Sequence, residues 1–409
     1  MLKRLIPILF ILILNFNSFA QTKDKKSSFG IQFHGFVNWQ AFYDTRQMVE
    51  AREGMFTLYP KNADYDHNLV DMNSASSFQM LAMTTRLSAN ISGPDVFKAK
   101  SSALIEGDFT GVSNGDNNGF RLRHAYMKLN WENDELLIGH YWHPLDVVEV
   151  KVGTIALNSG APMRSFSRFN QISYTRKIGL LSLLVFAGSE RDYASIGPLG
   201  VSNSYQRNAL IPNVHFQMKF DLENFKAGVG FDQKILRPRL ETEMGFQTKE
   251  LLYSQAFVAY GQYVYNDYAF KVQYIEGGNL TDHLMLGGYG EFLEDTMTGF
   301  SSYHNISQAS IWGVIEKTKG SFRPGVFLGY AKNRGSDHII NSHVYSRGSD
   351  IDYVYRIGPR LSYWSGKLMV SAEIEYTVVA YGTTDQYMQV ANSIEYANLR
   401  TLIAAFYFF

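Results

Sequence analysis

The sequence predicts an all-β fold, a transmembrane up-and-down antiparallel β-barrel of about 16 strands. Three observations support this prediction. Polar and apolar residues alternate along many stretches, short and long connections alternate between them, and aromatic residues make up 15% of the chain, with 26 Tyr and 29 Phe. Aromatic girdles at the two membrane interfaces of a barrel account for such an excess. No apolar run after residue 20 is long enough for a membrane helix, so a membrane-spanning chain must close into a barrel.

Alternation with a period of two identifies the strands one by one. In the stretch 211–221, for example, His215 and Gln217 alternate with Phe216 and Met218. Successive side chains of a strand point to opposite faces, so each stretch has one polar and one apolar face. The strands predicted in this way are 30–44, 77–91, 96–109, 119–131, 134–143, 169–176, 179–190, 211–221, 224–232, 250–264, 268–278, 307–317, 321–332, 352–364, 367–380 and 393–409.

The connections between these strands alternate in length, as in an up-and-down membrane barrel with short periplasmic turns and long extracellular loops. A soluble β-sandwich also alternates, but its strands are usually shorter and its loops more uniform. The short connections are 92–95, 132–133, 177–178, 222–223, 265–267, 318–320 and 365–366. The long ones are 45–76, 110–118, 144–168, 191–210, 233–249, 279–306, 333–351 and 381–392.

The N-terminal segment has the pattern of a secretory signal peptide. Two basic residues precede the apolar run 5–14, and the small residues Ser18 and Ala20 match a cleavage site. The apolar run is too short to remain as a membrane helix. We therefore predict a cleaved signal peptide at 1–20 and one barrel domain at 21–409, located in a bacterial outer membrane.

Composition and charge exclude several functional classes. No cysteine is present, which excludes disulfides and thiolate metal sites. The 38 basic and 38 acidic side chains balance, so no strong field attracts nucleic acid. The chain has neither a phosphate-binding Gly-x-x-x-x-Gly-Lys-Ser/Thr loop nor a Gly-x-Ser-x-Gly nucleophile elbow. We predict no catalytic residues, no cofactor and no metal site.

Charged residues on the strands and on the long connection 144–168 are the candidates for a channel and its constriction. Arginine or lysine on the lipid face near the midplane costs about 2–4 kcal/mol, which favours an inward position. The alternative for each is that it pairs with a neighbour and stiffens the wall. The predicted pore-lining and constriction residues are Arg86, Arg121, Arg123, Asp146, Glu149, Lys151, Arg164, Arg168, Arg356, Arg360, Glu373 and Glu375.

Two neighbouring predicted strands carry a motif that resembles a known group of porins. The stretch Asn118–Tyr126, followed by Leu136–Pro144, resembles the fourth and fifth strands of the DcaP-like and phosphate-selective porin O/P-like groups. The similarity to outer-membrane porins of Bacteroidetes extends to Asp44–Arg46, Ala51–Glu53 and Gly160–Pro162. The resemblance implies a barrel with a loop folded into the channel near 144–168. A dense lysine ladder is missing, so phosphate selectivity is not implied.

These observations predict a porin that gives passive or weakly selective diffusion of small hydrophilic solutes, and not an enzyme. Basic residues slightly outnumber acidic ones among the lumen candidates, so an anionic preference is a hypothesis. The expected partners are the lipid bilayer, the solutes and two further copies in a homotrimer, without nucleic acid.

Two other functions remain open from the sequence. A plugged or adhesive barrel would bind a partner through its long loops, such as 45–76 and 279–306. An outer-membrane hydrolase would need a Ser/His or Asp/His constellation, which the ten scattered histidines do not reveal.

Overall fold

The computed structural model describes residues 29–409, and the predicted signal peptide at 1–20 lies outside them. The described chain forms a closed antiparallel barrel of 16 strands, which confirms the predicted fold class. The barrel closes because the first strand pairs antiparallel with both the second and the last, with Trp39 opposite Ala405. Among residues 29–409, no helix is long and apolar enough to cross a membrane.

Each predicted strand corresponds to one strand of the barrel, and the second is interrupted at 82–85. The strands are β1 (Gly30–Asp44), β2 (Ser77–Leu81 and Arg86–Ser92), β3 (Lys100–Asp108), β4 (Arg121–Asn130), β5 (Asp134–Trp142), β6 (Arg168–Ile178), β7 (Leu181–Glu190), β8 (Asn213–Asp221), β9 (Phe225–Leu236), β10 (Leu252–Tyr265), β11 (Tyr268–Gly278), β12 (Phe300–Lys317), β13 (Phe322–Gly335), β14 (Ile351–Ser365), β15 (Leu368–Thr384) and β16 (Val390–Phe408).

The long connections at one end of the barrel contain short elements, whereas the other end has tight turns. The segment Gly287–Asp295 pairs with the first part of β12 and with Val344–Arg347, which extends the wall beyond the rim. The remaining strand segments are Met48–Ala51, Phe56–Pro60, Ile196–Gly197 and Gly200–Val201. The helical turns are Ser204–Ala209 (α-helix) and Met72–Ser74, Asn114–Asp116, Val148–Val150 and Thr281–His283 (3₁₀-helices).

The barrel wall is apolar outside and polar inside. On β8, Phe216 and Met218 are 53% and 46% exposed, whereas His215 and Gln217 are 0% and 4% exposed. Outward apolar side chains of a transmembrane barrel contact hydrocarbon, and inward polar side chains face the lumen. The alternation in the sequence is therefore the pattern of a two-sided wall.

A packed core occupies part of the lumen. It is formed by three infolded segments: the hairpin 48–60, the loop 143–167 and the segment 279–286. Burial of their apolar side chains against an apolar part of the inner wall stabilises this arrangement. The core includes Phe56, Leu58, Leu145, Met163, Phe166 and Leu284 from the segments and Val258, Ile275, Trp312 and Phe327 from the wall. Only the loop near 144–168 was predicted to fold inward. The other two segments belong to connections that were predicted to be outer loops, 45–76 and 279–306.

Candidate transport pathway

The loop 143–167 connects β5 to β6 by crossing the inside of the barrel. Leu145, Val150 and Met163 on this loop are fully buried against the inner wall. Close packing is possible because the wall is flat at Gly329, where an added Cβ would lie only 3.0 Å from Met163 Cγ. The loop is thus seated on one side of the lumen, and space remains on the other side.

Charged side chains of β14 and β15 hold the loop by hydrogen bonds to its backbone. Glu373 accepts hydrogen bonds from the Ile155 and Ala156 N–H groups at 2.7 and 2.9 Å. Arg356 donates to the Ala161 carbonyl at 3.0 Å. Hydrogen bonds to charged groups contribute about 1.5–3 kcal/mol each, so this set fixes the position of the loop.

The same wall also holds the infolded hairpin 48–60. Arg356 donates a second hydrogen bond to the Leu58 carbonyl at 2.8 Å, and Tyr381 donates to the Pro60 carbonyl at 2.8 Å. The hairpin contacts the loop directly, because the Phe56 and Phe166 rings lie 5.3 Å apart, edge to face. Arg356 therefore connects both infolded segments to the barrel.

Three cavities follow one another along the lumen beside the loop. The outer cavity, of about 290 Å³, and the middle cavity, of about 320 Å³, share Leu157 and Phe166 in their linings. The middle cavity and an inner cavity of about 340 Å³ share Tyr141 and Trp142. The two shared pairs place the three cavities in a row from the long loops to the periplasmic turns, and this row is called the path below.

A row of paired charges lines this path on β2, β3 and β4. Asp108 is fully buried and lies 2.8 Å from both Arg121 Nε and Arg123 Nη1. Arg123 also contacts Glu106 at 2.9 Å, and Arg86 lies 3.7 Å from the same carboxylate. Three guanidinium groups thus share two carboxylates, which leaves one positive charge in excess in this row.

The loop brings further charges to the opposite side of the path. Lys151 and Arg164 line the middle cavity, while Asp146 and Glu149 line the inner one. Asp146 pairs with Arg164, so this ion pair stands at the boundary between the two cavities. Glu149 pairs with Lys219 of β8, and Arg168, at the start of β6, pairs with Asp192.

The predicted site residues therefore fall into two groups. Arg86, Arg121, Arg123, Asp146, Glu149, Lys151 and Arg164 line one of the three cavities. The others lie inward but contact protein. Arg168 stacks on Trp142, with Cζ 4.7 Å from the ring centroid, and Arg360 pairs with Glu316 beside loop residue Gly153. Arg356, Glu373 and Glu375 contact the loop, Glu375 through Asn158 Nδ2 at 3.2 Å.

Aromatic side chains along the path were not selected from the sequence. The rings of His124, Tyr126, Tyr141, Trp142 and Phe166 form a continuous series with centroid distances between 4.8 and 6.3 Å. They line the middle cavity together with Lys151 and Arg164. The parity of β4 and β5 changes near these residues, where Gly139 has a positive φ of 135°, so simple alternation does not identify them.

A buried polar cluster joins the ends of the loop to the segment 279–286. Ser165 Oγ lies 2.9 Å from His283 Nδ1, and His283 Nε2 lies 3.5 Å from Asp282 Oδ2. Although these three residue types also occur in hydrolases, all three are at most 2% exposed here, which leaves no access for a substrate. The Phe166 N–H donates to the His283 carbonyl at 3.0 Å, so the cluster fixes the loop.

Asp146 is a charged loop residue that is only 1% exposed. It lies on the loop, outside the spanning strands. Burial raises the pKa of Asp146 to about 6, against the opposite effect of the Arg164 guanidinium. Above this pH the carboxylate balances Arg164, and below it the positive charge of Arg164 is no longer balanced.

We expect the chloride-to-potassium permeability ratio to increase when the pH falls from 7.5 to 5. Protonation removes the negative charge of Asp146 at the junction of the middle and inner cavities and leaves that of Arg164. Reversal potentials in a KCl gradient measure this change. The control is Asp146→Asn, which should show the stronger anion preference already at pH 7.5. If the reversal potential of Asp146→Asn changed with pH as that of the wild type does, the pH effect would not come from Asp146.

Comparisons with known proteins give a structural likeness. No family model and no curated protein matches the sequence. The outer membrane channel DcaP of Acinetobacter baumannii is similar in structure, with a TM-score of 0.66, 16% identity, and coverage of 96% of this chain and 100% of that one.

Two further outer-membrane barrels are similar at lower scores. The outer membrane protein OmpT of Vibrio cholerae has a TM-score of 0.55 and 10% identity, covering 93% and 100%. OmpF of Salmonella typhi has a TM-score of 0.54 and 14% identity, covering 93% and 97%. At these identities the likeness concerns the barrel fold.

Proposed function

We propose that this protein is an outer-membrane porin that gives passive or weakly selective diffusion of small hydrophilic solutes, without enzymatic activity. The observation that carries the proposal is the series of three cavities past the infolded loop, lined by opposed charges. A charged, narrow lumen is the arrangement with which channels select solutes. The likeness to the channel DcaP over the whole barrel supports the same function.

An anionic preference follows from the lining of the middle cavity. Arg86, Arg123, Lys151 and Arg164 line it, against the single carboxylate Glu106. In a cleft with low-dielectric walls, a net positive charge raises the local concentration of anions. We therefore propose that small anionic solutes pass more readily than cationic ones.

The cellular setting belongs to the same proposal. We propose export through a cleaved signal peptide at 1–20, insertion into the outer membrane and assembly as a homotrimer. We further propose membership of the DcaP-like group among the porins of Bacteroidetes, based on the motif at 118–144 and on the structural likeness to DcaP.

A plugged or adhesive barrel is the second candidate, because one observation favours it. The infolded hairpin 48–60 and segment 279–286 fill part of the lumen with a packed core. Such a core would block conduction if the three cavities did not communicate.

Single-channel recording in planar bilayers tests both candidates. Purified protein should produce discrete conductance steps in KCl, with a reversal potential that indicates anion preference. Silent insertions, verified by heat-modifiable migration of folded protein, would exclude the porin and favour the plugged barrel. A cation-selective reversal potential would support the pore but contradict the proposed anion preference.

Leu157→Ala should increase the single-channel conductance and leave the anion preference unchanged. Leu157 lines both the outer and the middle cavity, so removing its side chain widens their junction without changing any charge. We expect a stability loss of about 2 kcal/mol, because the side chain is only partly buried. The control is Leu199→Ala in an outer loop, where Leu199 is 75% exposed. Equal conductance of the two variants would place the narrowest point elsewhere.

A further inference from the structure

The outer wall carries an apolar groove of about 380 Å³, which is separate from the three cavities of the lumen. Its floor is Gly313 on β12, and its sides are Val272 of β11 and Leu328 of β13, which lie directly beside Gly313 in the sheet. The flanking residues Trp312 and Val314 are buried inside the barrel, so Gly313 faces the membrane. The groove is therefore open to lipid.

The missing side chain at Gly313 creates the groove. An added Cβ would have the Lys271 carbonyl oxygen, at 3.4 Å, as its one neighbour within 4 Å. Nothing in the packing of the wall therefore requires glycine at this position. On the extracellular side, the next outward residues of β12 are Ile311, which also lines the groove, and the small Ala309. The row from Gly313 to Ala309 is called the track here.

An aromatic belt and two basic residues lie at the upper end of this track. Tyr330 of β13 and Tyr353 of β14 stack with centroids 5.9 Å apart, and tyrosines are enriched at membrane interfaces. Lys332 follows Tyr330 on the outer face, opposite Ala309, with 48% of its side chain exposed. Arg334 lies two residues further along the same face of β13 and is exposed.

We propose that this surface binds a phosphate-bearing glycolipid of the outer leaflet, of the lipid A type. Lys332 and Arg334 would contact the phosphate, and one acyl chain would lie along β12 over Gly313. Lys332 lies four residues along β13 from the groove residue Leu328, which is about 13 Å along the strand. A lipid whose phosphate contacts Lys332 can therefore place an acyl chain in the groove. Basic side chains at a membrane surface attract anionic headgroups in this way.

Two carboxylates limit the position of the phosphate. Asp352 lies 3.4 Å from Lys332 Nζ, and Glu276 accepts a hydrogen bond from Tyr274 at 2.6 Å on the opposite side of the track. The exposed Arg334 makes the proposed contact stronger than Lys332 alone. The phosphate therefore has to lie on the β13 side of the track.

Native mass spectrometry of refolded, delipidated protein tests the proposal with two lipids, purified lipid A and phosphatidylglycerol. We expect retention of lipid A by the wild type, and about tenfold weaker retention in Gly313→Leu and in the double variant Lys332→Gln/Arg334→Gln. The matched control is Gly261→Leu on the outer face of β10, in the row of Gly313 and two strands away, where an added Cβ also has ample space.

The outcomes separate the source of the contact. Equal retention of phosphatidylglycerol would overturn the assignment to a glycolipid. Unchanged lipid A retention in both test variants would contradict the proposed site. A loss of retention in Gly261→Leu as large as that in Gly313→Leu would contradict it as well. If Gly313→Leu changed the oligomeric state and left lipid A retention unaltered, the groove would be a subunit contact. Folding of each variant is verified by heat-modifiable migration before lipid is added.

Discussion

Arg356→Ala should destabilise the barrel by about 3–5 kcal/mol and release both infolded segments. Arg356 is 1% exposed and donates to the Ala161 carbonyl, the Leu58 carbonyl and Thr377 Oγ1. Its guanidinium also lies 3.6 Å from the buried carboxylate of Glu375. The variant leaves that carboxylate without its positive partner and removes the contacts that hold the loop and the hairpin.

Urea titration of the folded protein in detergent gives the loss of stability, and single-channel recording gives the functional effect. We expect larger and noisier conductance, because the loop 143–167 and the hairpin 48–60 then sample positions away from the wall. The control is Arg207→Ala in the short helix Ser204–Ala209, where the arginine is exposed. Wild-type stability and quiet current in Arg356→Ala would show that other contacts hold these segments.

The double variant Arg86→Glu/Lys151→Glu should shift the selectivity strongly toward cations. Both side chains line the middle cavity, and their reversal changes its charge by four units without touching the Asp108 pairs. A unit charge on the wall and a permeating ion about 4 Å away interact by about 1 kcal/mol even in bulk water. We therefore expect the chloride-to-potassium permeability ratio to fall at least about tenfold.

Reversal potentials in asymmetric KCl measure this ratio, and high salt should reduce the effect by screening. The control is Lys319→Glu at a tight turn, where the lysine side chain is 75% exposed and lies outside the three cavities. An unaltered permeability ratio in the double variant would mean that ions do not pass the middle cavity.

The positions of the strands could be predicted because alternation is a local signal. On β8 the sequence of His215, Phe216, Gln217 and Met218 already shows which side chains face lipid, since every second residue points the same way. The cost of charge in hydrocarbon likewise places Arg121 and Arg123 inside. Neither argument needs contacts between distant parts of the chain.

The same rules could not show what each inward residue contacts. Arg123 and Arg356 both face inward, yet Arg123 lines a cavity and Arg356 is enclosed by the loop and the hairpin. The hairpin residue Leu58 lies 298 positions from Arg356 in the chain, so no local pattern connects them. Similarly, the sequence alone assigns the apolar residues Phe56 and Leu58 to an outer loop, because only the structure shows the inner wall that covers them.

The sequence by itself thus determined a barrel of about 16 strands and its two faces. Only the tertiary structure decided which inward charges line a path and which hold infolded segments. The physical reason is that alternation reports the side of the wall on which a residue lies. Whether that side meets space or packed chain depends on long-range burial of apolar side chains, as for Met163 against Gly329.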